Sequence, residues 1–179
     1  LKPLFYISLI LLTACSASRA IRTPNGYTFS VKGKFHLKGQ TKVDTSHLSV
    51  SNVYITYCDE WKQGFKFFSN GRVAYLNFIR YEDKSTRILY SGGYYTVEGK
   101  TIIIEMSYGV SNGMITGDEW DVIKIQGEIS GDTLKFYKDQ WQGKGKNMKA
   151  FTGIKNTQHQ DCYYIKTNES YNIPEPDWN

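Results

Sequence analysis

From residue 27 onward apolar and polar residues alternate along much of the chain, and no stretch of a dozen positions keeps a helical period. Three segments join that alternation to a turn signal. In 64–78 the turn is Asn70-Gly71, the strongest two-residue hairpin signal. That loop pairs Ser69 with Arg72, which sets Phe67 across from Ala74 and Phe65 across from Leu76. Phe78 extends the same apolar side, while Lys66, Tyr75 and Asn77 take the other. In 94–106 the tip is Glu98-Gly99, so Val97 lies across from Lys100, Tyr95 from Ile102, and Ile104 continues that face. In 122–136 the turn is Gly131-Asp132. Ile129 then meets Leu134 and Gly127 meets Phe136, with Ile123 and Ile125 beside them and Lys124, Gln126, Glu128 and Lys135 opposite.

A slip of one residue would mix these sets, so turn position and face support each other. Each hairpin owns one apolar face that must be buried. With no helix to cover it, the sheet must close on another sheet or on itself. Further strand candidates lie at 27–31, 34–38, 53–58, 148–152 and 162–166. Eight or more short strands in sequence-neighbour hairpins predict an all-β fold, an antiparallel up-and-down barrel of about eight strands in preference to a Greek-key sandwich. The expected organisation is a leader over 1–14, a tether over 15–26, the barrel over 27–167 and an irregular tail over 168–179 with Pro174 and Pro176.

The leader opens with Lys2 and continues Leu4-Phe5-Tyr6-Ile7-Ser8-Leu9-Ile10-Leu11-Leu12. That run is shorter than the roughly 20 apolar residues of a membrane-crossing helix, and it fits the core of a secretory signal peptide. It ends Leu12-Thr13-Ala14-Cys15, which resembles a bacterial lipobox. The resemblance implies that the Cys15 thiol takes a diacylglyceryl group and that Cys15 becomes the first residue after cleavage. Several acyl chains on one residue hold a protein to a membrane, where one chain does not. Ser16 stands where Asp would mark inner-membrane retention in many diderm bacteria. The expected location is therefore the cell envelope, at the outer membrane.

A second resemblance lies in the hairpins. The stretch 91–102, Ser-Gly-Gly-Tyr-Tyr-Thr-Val-Glu-Gly-Lys-Thr-Ile, precedes 129–136, Ile-Ser-Gly-Asp-Thr-Leu-Lys-Phe. Together they resemble the lipocalin-like (calycin) domains of bacterial lipoproteins, over about residues 60–140. The resemblance implies an eight-stranded barrel whose interior is either a small-ligand cavity or a filled core. The first alternative makes the chain a carrier of a small apolar or amphipathic molecule. Its lining would be Phe65, Phe67, Leu76, Phe78, Tyr95, Ile102, Ile104, Ile125, Leu134 and Phe136, with the Tyr95 hydroxyl as a polar anchor. The second makes the same residues a solid core. The chain would then be a structural or interaction protein working through exposed aromatics, among them Phe68, Tyr94, Trp120 and Trp141.

Composition narrows the classes further. The 179 residues hold 22 Lys+Arg against 17 Asp+Glu, and the 15% of aromatic residues suits strands. A formal charge of +5 is mild, and the group Lys144, Lys146 and Lys149 is interrupted by Gly143 and Gly145, as in a solvated loop. Nothing here makes a nucleic-acid-binding motif. Two cysteines besides Cys15 remain, Cys58 and Cys162; in an oxidising compartment an even pair invites a bridge, the alternative being two free thiols. Closing so long a loop is worth about 4–5 kcal/mol in the chain-entropy picture.

Candidate chemistry is sparse, and no enzymatic activity, catalytic residue, cofactor or metal is expected. Gly109-Val110-Ser111-Asn112-Gly113 matches G-x-S-x-G, yet a nucleophile elbow needs a strand-to-helix turn. Here a strand-like alternation follows, and His159 is the lone downstream histidine. His36, His47 and His159 lack metal-ligand spacing, and the acids of 118–121 lack the spaced pattern of a calcium loop.

Overall fold

The computed structural model describes residues 20–30, 34–38, 43–58, 61–111, 118–136 and 162–178. Every regular element among them is a strand: β1 (Ala20–Arg22), β2 (Tyr27–Ser30), β3 (Val53–Cys58), β4 (Trp61–Phe67), β5 (Arg72–Arg80), β6 (Thr86–Glu98), β7 (Thr101–Ser111), β8 (Asp118–Ser130), β9 (Thr133–Phe136) and β10 (Cys162–Thr167). Strands β3 to β10 pair in sequence order, all antiparallel, and β10 returns to pair with β3. The result is a closed eight-stranded up-and-down barrel. Closure leaves no free edge on the ring, which removes the usual invitation to edge-to-edge association.

The hairpin at 122–136 has the expected register, with Ile129 opposite Leu134 and Gly127 opposite Phe136. The one at 94–106 slips by two: Glu98 pairs with Thr101 and Val97 with Ile102, so the tip is Gly99-Lys100, with Gly99 at φ 60°. A two-residue slip leaves every side chain on its expected face. The hairpin at 64–78 slips by one. Its turn is a three-residue loop in which the Phe68 N–H donates to Arg72 O and the Gly71 N–H to Phe68 O, at 2.9 and 3.1 Å. Gly71, at φ 78°, supplies the left-handed bulge position that such loops need. Phe67 therefore pairs with Val73, Phe65 with Tyr75 and Gly64 with Leu76.

That single step inverts β5. Val73 and Tyr75 enter the barrel beside Phe65 and Phe67. Ala74, Leu76 and Phe78 lie on the outer wall with Val53, Ile55, Phe68 and Tyr94. The outer wall is buried because other chain covers it. Strand β2 pairs in parallel with β6, Tyr27 against Tyr90 and Thr28 against Ser91, where β6 has parted from β7. The Ser30 N–H donates to Ser107 Oγ at 2.9 Å and the Ser30 hydroxyl to Trp120 O at 3.0 Å, stitching β2 across to β7 and β8. Gly92 lets this happen, since a Cβ there would sit 2.0 Å from Cζ of Phe29. Segment 34–38 is not the expected strand. Phe35 and Leu37 pack on the outer cluster, and the backbone donors of His36 and Leu37 go to the Glu105 carboxylate in place of a neighbouring strand. The expected strand at 148–152 lies outside the described residues.

The tail has no regular structure, as its prolines predict, but it is packed. Lys62 Nζ reaches Glu169 at 3.2 Å and donates to the Tyr171 hydroxyl at 2.7 Å. Further on, Asn25 N–H donates to Asp177 Oδ2 at 2.7 Å, and the Tyr27 hydroxyl donates to Pro174 O at 2.5 Å. Trp178 ends the strap against Tyr27 and Phe29, ring centroids 4.5 and 4.7 Å away, with the Arg72 guanidinium over its face. Two hydrophobic layers thus share the β5 wall, one inside the ring and one beneath the strap.

Candidate functional site

Of the ten residues expected to line the interior, Phe65, Phe67, Tyr95, Ile102, Ile104, Ile125, Leu134 and Phe136 come together inside the barrel, all with no exposed surface. Leu76 and Phe78 do not: the one-residue slip at Gly71 puts them on the outer wall, in the second cluster. Tyr54, Val73, Tyr75, Met106 and Tyr164 join the interior instead. Alternation marked Ile123 and Ile129 for that face, and they are there too.

The interior aromatics touch one another. Phe65 has ring neighbours Tyr164, Tyr75, Phe136 and Phe67, with centroids 4.8, 5.4, 5.5 and 6.0 Å away. Phe67 adds Tyr95 at 4.9 Å and Tyr54 at 5.8 Å. These are contact distances for aromatic pairs, so side chains occupy the middle of the barrel. Nor is the Tyr95 hydroxyl an anchor for a guest, because it donates to Phe68 O at 2.8 Å. Burial pushes its phenol well above the ordinary tyrosine range.

One end of the barrel carries the tight turns after β4, β6 and β8 and is covered by the loop 43–52. Leu48 of that loop is buried in the interior cluster, with Val43 and Val50 packed on it. Polar bonds fix the loop. Lys66 Nζ donates to Val50 O and Ser51 O at 2.7 and 2.9 Å, Asn52 Nδ2 donates to Thr167 O at 3.0 Å, and the Ser49 N–H donates to the Tyr54 hydroxyl at 2.9 Å. Between this loop and the β8–β9 turn lies an open recess of about 260 Å³, walled by Ser46, His47, Tyr54, Asp132 and Lys166 among others. Lys166 and Asp132 form an ion pair across it, and that hydrogen bond raises the lysine's pKa. Burial raises that of the Tyr54 phenol.

On the outside of β7, Glu105 is 2% exposed. Its carboxylate accepts from the backbone N–H groups of His36 and Leu37, at 2.5 and 2.9 Å, and lies 3.2 Å from Nδ1 of the exposed His36 ring. This clamp was not legible as such, since alternation only assigns Glu105 to the polar face. The signal was a lone carboxylate inside Ile-Ile-Ile-Glu-Met.

Of the aromatics expected to be exposed, Phe68 and Tyr94 are buried in the outer cluster, beneath chain that alternation could not foresee. Trp120 is half-buried, and Trp141 lies outside the described residues, as does Cys15. Cys58 ends β3 and Cys162 begins β10. Ser111 is at the end of β7, its backbone paired with that of Asp118 in β8, while His159 and 112–117 lie outside the described residues. Among the described residues, no three side chains of His, Cys, Asp or Glu gather as metal ligands would.

Neither family models, curated proteins nor solved structures gave any match to this chain. Its sequence and geometry carry the functional reading by themselves.

Proposed function

We propose that the chain is a non-enzymatic barrel of lipocalin-like type, tethered through lipid on Cys15 to the bacterial outer membrane, which acts as an interaction or structural module. Its interior serves as core, and its partners meet its ends and outer walls. The observation that supports this is the mutual contact of Phe65, Phe67, Tyr75, Tyr95, Phe136 and Tyr164, which takes up the volume an apolar guest would need. The lipid anchor rests on the leader and on Leu12-Thr13-Ala14-Cys15.

A second reading keeps a small ligand, and the recess beside Tyr54 favours it. At about 260 Å³ the recess is smaller than the roughly 300–1,000 Å³ of pockets that enclose a drug-sized molecule. Its walls are polar, so it suits a headgroup or a short polar compound better than a fatty chain.

Two measurements separate these readings. Native mass spectrometry of the lipidated protein released from detergent should give the bare acylated mass. A co-purifying small molecule would overturn the solid-core reading in favour of a ligand carrier. Detergent phase partitioning tests the tether: the Cys15→Ala variant should move to the aqueous phase, and continued partitioning into detergent would refute lipidation.

A further inference from the structure

The seams between consecutive strands of the barrel are hairpins or neighbour pairings, but the seam of β3 with β10 joins segments far apart in sequence. Its register runs Thr167 opposite Val53, Lys166 opposite Tyr54 and Ile165 opposite Ile55. In an antiparallel pair, each step back along one strand is a step forward along the other. The observed pairing ends at Ile55 and Ile165, and the same register continued three positions further would set Cys162 opposite Cys58. Both positions are still strand: Cys58 is paired with Trp61 of β4, and Cys162 with Phe136 of β9. Each shares the parity of a core residue on its own strand, Tyr54 on β3 and Tyr164 on β10, so the two occupy one face of the sheet. If the pairing runs on to these positions, directly opposed residues stand about 4.5–5.5 Å apart at Cα, which falls inside the range of about 4.4–6.8 Å that a disulfide spans.

We propose that Cys58 and Cys162 form a disulfide that fastens the β3–β10 closure of the barrel at the end opposite the loop 43–52. Two of the chain's three cysteines fall where the continued register would oppose them, at the seam of the ring whose strands lie farthest apart in sequence. This is the seam whose closure costs the most chain entropy, and so it gains most from a covalent link. The third cysteine, Cys15, is left for the lipid.

Formation needs a disulfide as oxidant, which oxidised glutathione supplies. One protein thiolate attacks it, forming a mixed disulfide and expelling one glutathione thiolate. The second protein thiolate attacks the protein-bound sulfur, forming the Cys58–Cys162 bond and expelling the other. Two protein thiols lose two protons and two electrons, and one glutathione disulfide becomes two glutathione thiols.

The full chain, reduced and then refolded in a mixture of oxidised and reduced glutathione, tests the proposal directly. After thiol alkylation and digestion, mass spectrometry should find one linked peptide pair carrying Cys58 and Cys162, and no link to Cys15. Alkylation of both Cys58 and Cys162 at equilibrium, or a link from Cys15 to either, overturns it. Reductant should lower the Tm of the oxidised protein by about 10 °C. Cys58→Ser and Cys162→Ser should each melt at the lower temperature with or without reductant, and a variant that keeps the reductant effect overturns the assignment. If neither variant folds, the peptide map of the natural sequence decides alone.

Discussion

Phe65 shows how much one side chain carries. It is fully buried and touches four other rings, so truncation removes both its own transfer energy and the edges its neighbours pack on. Phe65→Ala should cost about 3–5 kcal/mol, read as a lowered urea midpoint with the slope unchanged. The buried phenols set a second limit. Burial raises the pKa of Tyr95, and with help from nearby Tyr90 that of Tyr27, above the ordinary value of 10.0. A folded pKa above the unfolded one means the native state keeps a proton the unfolded chain has lost. Stability is then intact below about pH 10 and falls as the pH climbs from there toward the folded values. Urea midpoints between pH 8 and 12 should show that fall, and Tyr95→Phe should make it shallower.

Elements obey face parity, and parity explains what was legible. The 94–106 hairpin slips by two from its expected register and loses nothing, because Tyr95, Ile102 and Ile104 stay inside. The 64–78 hairpin slips by one, and Leu76 and Phe78 exchange places with Val73 and Tyr75. Strand β5 could not signal this, since Val-Ala-Tyr-Leu-Asn-Phe-Ile is apolar at both parities. The reason lies elsewhere in the chain: the outer wall is covered by β2 and the tail, and such long-range cover leaves no periodicity in β5 itself. The cover is testable. Trp178→Ala should cost about 3 kcal/mol. It should also strip amide-exchange protection from β1 and β2 while β7 and β8 stay protected, because it loosens the strap and leaves the ring closed.

At the scale of the whole molecule, the meander from β3 to β9 is written into the sequence because its contacts are local: each of these strands turns back on its neighbour, and composition supplies the turns. Closure into a barrel was expected, but the pairing of β3 with β10 had only the cysteine pair Cys58 and Cys162 to suggest it, since no turn or alternation near residue 53 or 167 refers to the other. The candidate site was legible only in part for a related reason. Alternation tells which side chains share the inside of a barrel, while whether they leave room depends on how rings from six strands meet. Phe65 and Phe67 of β4 join Tyr75 of β5, Tyr95 of β6, Phe136 of β9, Tyr164 of β10 and Tyr54 of β3 into one contacting set.

The way β1 and β2 are attached has a mechanical consequence. Tension on the chain before Ala20 would reach the β1–β2 pair first, where Ala20, Ile21 and Arg22 face Ser30, Phe29 and Thr28 and can be unzipped one rung at a time. Next in line is the short parallel join at Tyr27 and Thr28, with the Pro174 and Asp177 bonds as its backing. Pulling would therefore spend itself on this outer fuse before loading the ring, so a protein held by its leading end could give way by a few nanometres and rewind without its barrel ever opening.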